Sequence, residues 1–424
     1  MTTSTSRRSF LRGALAGAAA LTVTPLPVIK SAYGGVNAPD NGKFMVVVNL
    51  LGGNDGLNTV IPATLTPYIE RRPQINLVEN IPTGQVLHDL DANFKLHYAM
   101  DGCKSIWDDG QLQIINKVGY PNQNLSHFTS QNIYSFGVRD IDGNGDGRGW
   151  LGRFADTYCA DPVEPLGVVS VGMGRRRDFA ADVSESLVLN NVPSFDFDVD
   201  RDWRTDHDLR RRVARRVLET EDGPVSDAAL TVFGTSRQAH ELVERVQAGT
   251  EGWTDPGSYP TTTIGNRLKE VSRLLHGRAD FKTKVFYTGT GGYDTHADQI
   301  GRHENLLTQL DDAIASFVAD MKAKGLWDDC VLMVISEFGR RNFENGSVGT
   351  DHGHGNAFLV AGGPVDGGKI TGTLSEADLN VNQPDFSYDF REVYADLIEN
   401  HIGVSAVPIF PESFAKSGDI NLVA

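Results

Sequence analysis

Cysteine is scarce in this 424-residue chain. Cys103, Cys159 and Cys330 form no CxxC pair and are too few for a disulfide framework, so they read as buried thiols. No cysteine precedes Cys103, which argues against a lipoprotein anchor. Positive charge is also in short supply: 39 Lys and Arg face 55 Asp and Glu, a formal net charge of −16. Such a surface disfavours non-specific nucleic-acid binding and attraction to anionic lipid. No apolar run approaches the ~20 residues of a spanning helix, so no stable membrane span is expected in the mature chain. There is no internal repeat and no coiled-coil heptad pattern.

The first positions depart from this acidic background. Ser6-Arg7-Arg8-Ser9-Phe10-Leu11-Arg12 precedes a Gly- and Ala-rich stretch broken by Pro25 and Pro27. A paired arginine before Phe-Leu and a weakly apolar run reads as a twin-arginine export signal over residues 1–35. The expected partner is the twin-arginine export machinery, and the expected location is periplasmic or extracellular. Ala18-Ala19-Ala20, Lys30-Ser31-Ala32 and Val36-Asn37-Ala38 all offer small residues for cleavage.

Beyond the leader, apolar runs alternate with helical patterns. Lys43–Leu51 is continuously apolar and bounded by Gly52-Gly53, as in a strand buried on both faces. Further strands are predicted at Gln111–Val118, Leu166–Val171, Lys284–Thr288, Cys330–Ile335 and Ala357–Ala361. His303–Lys324 and Asp389–Ile402 repeat apolar residues at the helical period. The alternation predicts an α/β fold with a doubly wound, mostly parallel sheet. The middle reads instead as successive helices, Trp203–Glu219, Ser226–Ala248 and Gly265–Leu275. We therefore expect one domain over 36–424 with a helical insertion near 200–276. The arginines of 203–219 stand among acids and read as a solvated face.

In open α/β sheets ligands gather beyond the carboxyl ends of the strands. Polar clusters collect there: Gly52-Gly53-Asn54-Asp55, Gly292-Tyr293-Asp294-Thr295-His296, Ser336-Glu337-Phe338-Gly339-Arg340 and Asp351-His352-Gly353-His354. Another histidine follows Ser126 in Asn124-Leu125-Ser126-His127-Phe128. Carboxylates and imidazoles on one edge are what a divalent metal requires. Separately, Asp140, Asp142, Asn144 and Asp146 place oxygens at every second position, as calcium loops do. The twelfth position counted from Asp142 is Arg153 rather than Glu, so an acidic surface turn is the favoured reading.

The arginine pair, Leu50–Asn58, Asn124–Phe128, Gly149–Arg153, Gly292–His296, Ser336–Arg340, Asp351–Gly355 and Asp389–Arg391 together resemble the exported bacterial DUF1501 family. That family is remotely similar to the alkaline phosphatase and sulfatase superfamily, which implies an alkaline-phosphatase-like fold. The resemblance implies metal ligands among Asp55, Asp294, His296, Glu337, His352 and His354. It places Ser126 as a nucleophile. Arg340 and Arg341 read as paired N–H donors that hold an anion, or as salt bridges beside the site. Phe338 stands where a ligating His is expected. The implied cofactor is a divalent metal (zinc, manganese or calcium), with a possible separate calcium. The implied function is an exported metal-dependent hydrolase acting on phosphate or sulfate esters. The alternative is a non-catalytic exported metal-binding or assembly protein with a degenerate site.

Overall fold

A computed structural model describes residues 37–139, 146–159, 164–195 and 227–424. The expected export leader, the arginine-rich stretch 203–219 and Asp140, Asp142 and Asn144 lie outside the described residues.

Fourteen strands are formed by the described residues. The apolar run at the start becomes β1 (Phe44–Leu51). Next come β2 (Val60–Pro62), β3 (His88–Asp89) and β4 (Phe94–Leu96), a small antiparallel sheet. The others are β5 (Leu112–Gly119), β6 (Val168–Val171), β7 (Leu187–Leu189), β8 (Val285–Gly291), β9 (Cys330–Ile335), β10 (Gly339–Arg340), β11 (His352–Gly353), β12 (Asn356–Gly362), β13 (Lys369–Thr371) and β14 (Tyr388–Asp389). The main sheet runs β13-β5-β12-β9-β1-β8-β6-β7, with β14 beside β5. Only β12 is antiparallel to its neighbours β5 and β9. The expected mostly parallel α/β architecture is observed, and each of the six predicted strands is present.

β1 lies between β8 and β9, and Met45 pairs with both Val285 and Val331. Side chains alternate across the strand. Met45 and Val47 join Val285, Tyr287, Val331 and Met333 in a core completed by Trp150, Phe154, Tyr394 and Ile398. Helix Thr263–His276 packs on β8 and on the long helix Gln299–Ala323. The helix starting at Phe390 changes to π geometry over Leu397–Ile402.

The chain divides into two compact units, residues 1–34 with 193–251, and residues 35–192 with 252–424. The described part of the first includes helix Asp227–Gly249, after which Thr250 Oγ1 donates to the Val246 carbonyl at 2.8 Å. The second holds the sheet and every residue of the site described below. Among the described residues no helix is long and apolar enough to cross a membrane.

Candidate metal centre

β1, β8 and β9 are parallel, so the loops following them emerge at one edge of the sheet. Gly52 and Gly53 let the first loop lie against the other two. Both have positive φ, +122° and +73°. A Cβ on Gly52 would stand 2.5 Å from the Asp294 nitrogen, and one on Gly53 would stand 2.3 Å from the Phe338 ring. The β10–β11 ladder sets His352 opposite Arg340. His127 arrives separately, as the first residue of helix His127–Phe136.

Asp294 is the centre of the cluster. Its Oδ1 lies 3.0 Å from His296 Nε2, 3.1 Å from His352 Nε2 and 2.8 Å from an Arg340 nitrogen. Its Oδ2 lies 3.4 Å from His127 Nε2. Burial raises its pKa, but Arg340 and His352 outweigh that and bring it down to about 2. It is a carboxylate at any ordinary pH.

The three imidazoles are anchored alike through Nδ1. His127 Nδ1 is 2.9 Å from Glu337 Oε1, His296 Nδ1 is 3.1 Å from Asp351 Oδ1, and His352 Nδ1 is 2.8 Å from the Leu125 carbonyl. Each partner is an acceptor, so each Nδ1 carries the proton and, in a neutral ring, each Nε2 presents a lone pair. Two of these lone pairs face one another, since His296 Nε2 and His352 Nε2 are 3.0 Å apart. His127 Nε2 is buried and makes no hydrogen bond. Donor atoms of His127, Asp294 and His352 all lie within 4.8 Å of one another. Protons or a cation must occupy the space between such groups.

The donor set fits a cation of the zinc class. Imidazole nitrogens with a carboxylate suit zinc and related transition ions, whereas calcium prefers oxygen alone. A ligating histidine ordinarily has its other ring nitrogen held by a carboxylate or carbonyl, as here. Protonation is the competing solution. The Glu337 hydrogen bond, against some desolvation, raises the His127 pKa, while burial lowers that of His352.

The other expected residues occupy different places. Asp55 is fully buried and ion-paired to Arg72 at 2.7 Å; Gln299 and the Leu57 N–H complete its shell. Its lone pairs are thus taken by protein donors, and it stands outside the histidine group. Glu337 is also buried, its Oε1 accepting from Gly52 N–H and Gln131 as well as His127. That places it behind His127 rather than beside Asp294. His354 has its Nε2 3.1 Å from Gln383 Nε2, away from the group. Arg340 is buried, and its guanidinium donates to carbonyls of Gly52, Gly53, Tyr293 and Thr350 as well as to Asp294. It clamps the loops together and salt-bridges Asp294. Ser126 is exposed at the N-cap of the His127 helix and makes no capping hydrogen bond. Asp146, the described member of the acidic loop, is held by Arg148 and Arg153.

His127 is the donor that sequence reasoning left out of the ligand set. Its signal lies in Asn124–Phe128, where an imidazole follows Ser126 downstream of a predicted strand.

The fold and this cluster define an α/β protein with a candidate metal centre at the carboxyl edge of its sheet. The DUF1501 family, described as a protein family of unknown function, matches residues 113–398, and the chain belongs to it. Among solved structures it is similar to the lipoteichoic acid synthase LtaP from Listeria monocytogenes, at 8% identity and a TM-score of 0.39, covering 90% of this chain and 74% of that one. It is also similar to a protein in the alkaline phosphatase superfamily from Vibrio parahaemolyticus, at 12% identity and a TM-score of 0.37, covering 91% and 72%. A third is the C-terminal periplasmic domain of EcEptC from Escherichia coli in complex with Zn, at 9% identity and a TM-score of 0.39, covering 88% and 87%. No curated protein sequence matches.

Proposed function

We propose that the chain is an exported, metal-dependent hydrolase whose cation is held by Asp294, His127 and His352, with His296 beside them. The observation that carries this reading is the common aim of the imidazoles: three Nδ1 atoms held by oxygen acceptors, three Nε2 atoms turned toward one carboxylate. A cation of the zinc or manganese class bound there supplies Lewis acidity toward an ester oxygen. The chain's own groups do the rest. Glu337, Asp351 and the Leu125 carbonyl hold the rings in one tautomer. Asp294 is 45% exposed, so a ligand can approach from solvent. Ser126 sits at the start of a ten-residue helix with its hydroxyl unused for capping. Helix N-termini favour anions, which suits a phosphate or sulfate ester attacked by Ser126 Oγ.

A non-catalytic metal-binding protein is the second reading. Arg340 favours it, because that guanidinium is spent on backbone carbonyls and Asp294 rather than held ready for a substrate anion.

Metal analysis of the purified protein, with turnover of aryl phosphates and aryl sulfates, separates the readings. About one transition ion per chain in wild type and little in His127→Ala supports the metal centre. Turnover lost in Ser126→Ala with metal retained supports the hydrolase. Metal without turnover of any such ester supports the binding protein. Wild type without metal refutes both.

A further inference from the structure

The groups around Asp294 come from loops far apart in sequence, and a single side chain ties those loops together. Gln299 is fully buried at the start of the long helix Gln299–Ala323. Its Nε2 donates to Asp55 Oδ2 at 2.6 Å. Its Oε1 accepts from Thr350 Oγ1 at 2.7 Å and from Thr295 Oγ1 at 3.2 Å. Its backbone N–H donates to the Val348 carbonyl at 2.9 Å. Opposite ends of one amide are thus committed to unlike partners, a carboxylate and two hydroxyls. That fixes the amide orientation, since a flip would turn its NH2 onto the hydroxyls and its oxygen onto a carboxylate.

The partners explain why this matters for the site. Thr295 stands between Asp294 and His296. Thr350 directly precedes Asp351 and His352, and its carbonyl accepts from Arg340 at 2.8 Å. Arg340 in turn holds Asp294 at 2.8 Å. Asp55, the fixed end of the chain of contacts, is locked by Arg72 just beyond β1. Thr295, Gln299, Thr350, Arg340, Asp55 and Arg72 are each 1% exposed or less. A buried network with every link made is stiff, and its members act together.

We infer that Gln299 is a positioning residue for the metal centre: its amide joins the loop carrying Asp294 and His296 to the loop carrying Asp351 and His352, and sets both against the buried Asp55. This rests on the metal-centre reading above, and it assigns a role to three residues, Gln299, Thr295 and Thr350, whose side chains bond one another and Asp55 rather than a proposed ligand. Outer residues that orient metal ligands typically change affinity by about 10–100-fold when removed.

The test uses the whole mature protein with zinc and with cobalt(II) as a spectroscopic probe. Gln299→Met keeps the volume and removes both hydrogen-bonding ends. Thr350→Val keeps shape and removes one link without touching Asp55. Each is expected to weaken zinc binding about 10–100-fold and to shift the visible cobalt spectrum, because ligand geometry relaxes. The double variant is expected to be little worse than Gln299→Met alone, as the two act through one contact. Thr308→Val, on the same long helix but away from the network, is expected to bind as wild type and serves as control. Far-UV circular dichroism of each metal-free variant checks that the fold persists. Wild-type affinity and spectrum in both Gln299→Met and Thr350→Val would overturn the inference while leaving the metal centre standing. A wild type that takes up neither zinc nor cobalt would remove the metal reading and this inference with it.

Discussion

Replacing Asp55 by Asn separates a buried structural ion pair from a metal ligand. Asp55 and Arg72 are both fully buried, with 2.7 Å between Asp55 Oδ2 and the guanidinium. Arg72 also donates to Asn58 Oδ1 at 2.8 Å and to the carbonyls of Arg341 and Asn342. Those neutral partners remain in Asp55→Asn, but no negative charge does. Removing one member of a buried pair costs about 3–5 kcal/mol, because the other charge stays buried without compensation. Against a typical total of about 5–15 kcal/mol, that is a large fraction of stability. The measurement is urea unfolding in the presence of a chelator, so that no bound ion adds stability by mass action. Asp55→Asn with Arg72→Met should recover much of the loss, since the stranded charge is gone. The pH dependence has a definite sign. Burial pushes the Asp55 carboxyl up, but Arg72 with His303 and Gln299 pulls it down further, leaving it below the ordinary carboxylate value. A depressed folded pKa stabilises the fold fully above the unfolded value of about 3.9 and loses that contribution as pH falls through the folded value. The gap between wild type and Asp55→Asn should therefore be constant near neutrality and close below about pH 4. A variant within about 1 kcal/mol of wild type at pH 7 would refute the reasoning, since a buried pair broken on one side cannot be that cheap.

Two further outcomes are expected. Gly53→Ala should lower Tm much more than Gly84→Ala: both have positive φ, but a Cβ on Gly53 meets the buried Phe338 ring whereas one on Gly84 meets nothing within 4 Å. The shared backbone penalty is about 1–2 kcal/mol, overpacking at Gly53 adds about 1–3 kcal/mol, and equal Tm shifts would contradict this. Arg7→Lys with Arg8→Lys should leave the precursor in the cytoplasm on cell fractionation; normal recovery of the double variant outside it would show that the leader has been misread.

The fold was legible where the signal is local. Lys43–Leu51 announces a strand buried on both faces, and β1 lies between two parallel neighbours with nearly every residue buried. The direction of β12 was not legible. Ala357–Ala361 is a short apolar run, and such a run is the same read from either end. Strands β7, β13 and β14 were also missed. They have two or three residues each, too few for any period, and they exist by pairing with β5 or β6. The helix Gln299–Ala323 begins four residues before its expected start at His303, because Gln299 is held by loop contacts rather than by apolar periodicity.

The site shows why a motif fixes residue types before it fixes roles. Sequence reasoning collected carboxylates and imidazoles at strand ends, and the sheet does bring Asp294, His296 and His352 together. What a carboxylate can do depends on the donor that reaches it first, and that donor comes from elsewhere in the chain. Asp55 meets Arg72, 17 positions away, and is neutralised in the interior. Glu337 meets His127, 210 positions away, and orients a ring from behind. Asp294 meets Arg340, 46 positions away, yet keeps nearly half its surface exposed and its Oδ2 free of that guanidinium. Three acids that look alike in their motifs thus become a buried counter-ion, an orienting acceptor and a candidate ligand. The histidines divide by the same rule. His354 lies just past the short ladder that holds His352, but its ring meets Gln383, whereas His352 has its Nδ1 held by Leu125 and so presents Nε2 to Asp294. In this site the group holding Nδ1 decides which histidines face the centre, and that group is a carbonyl or a carboxylate supplied by another loop.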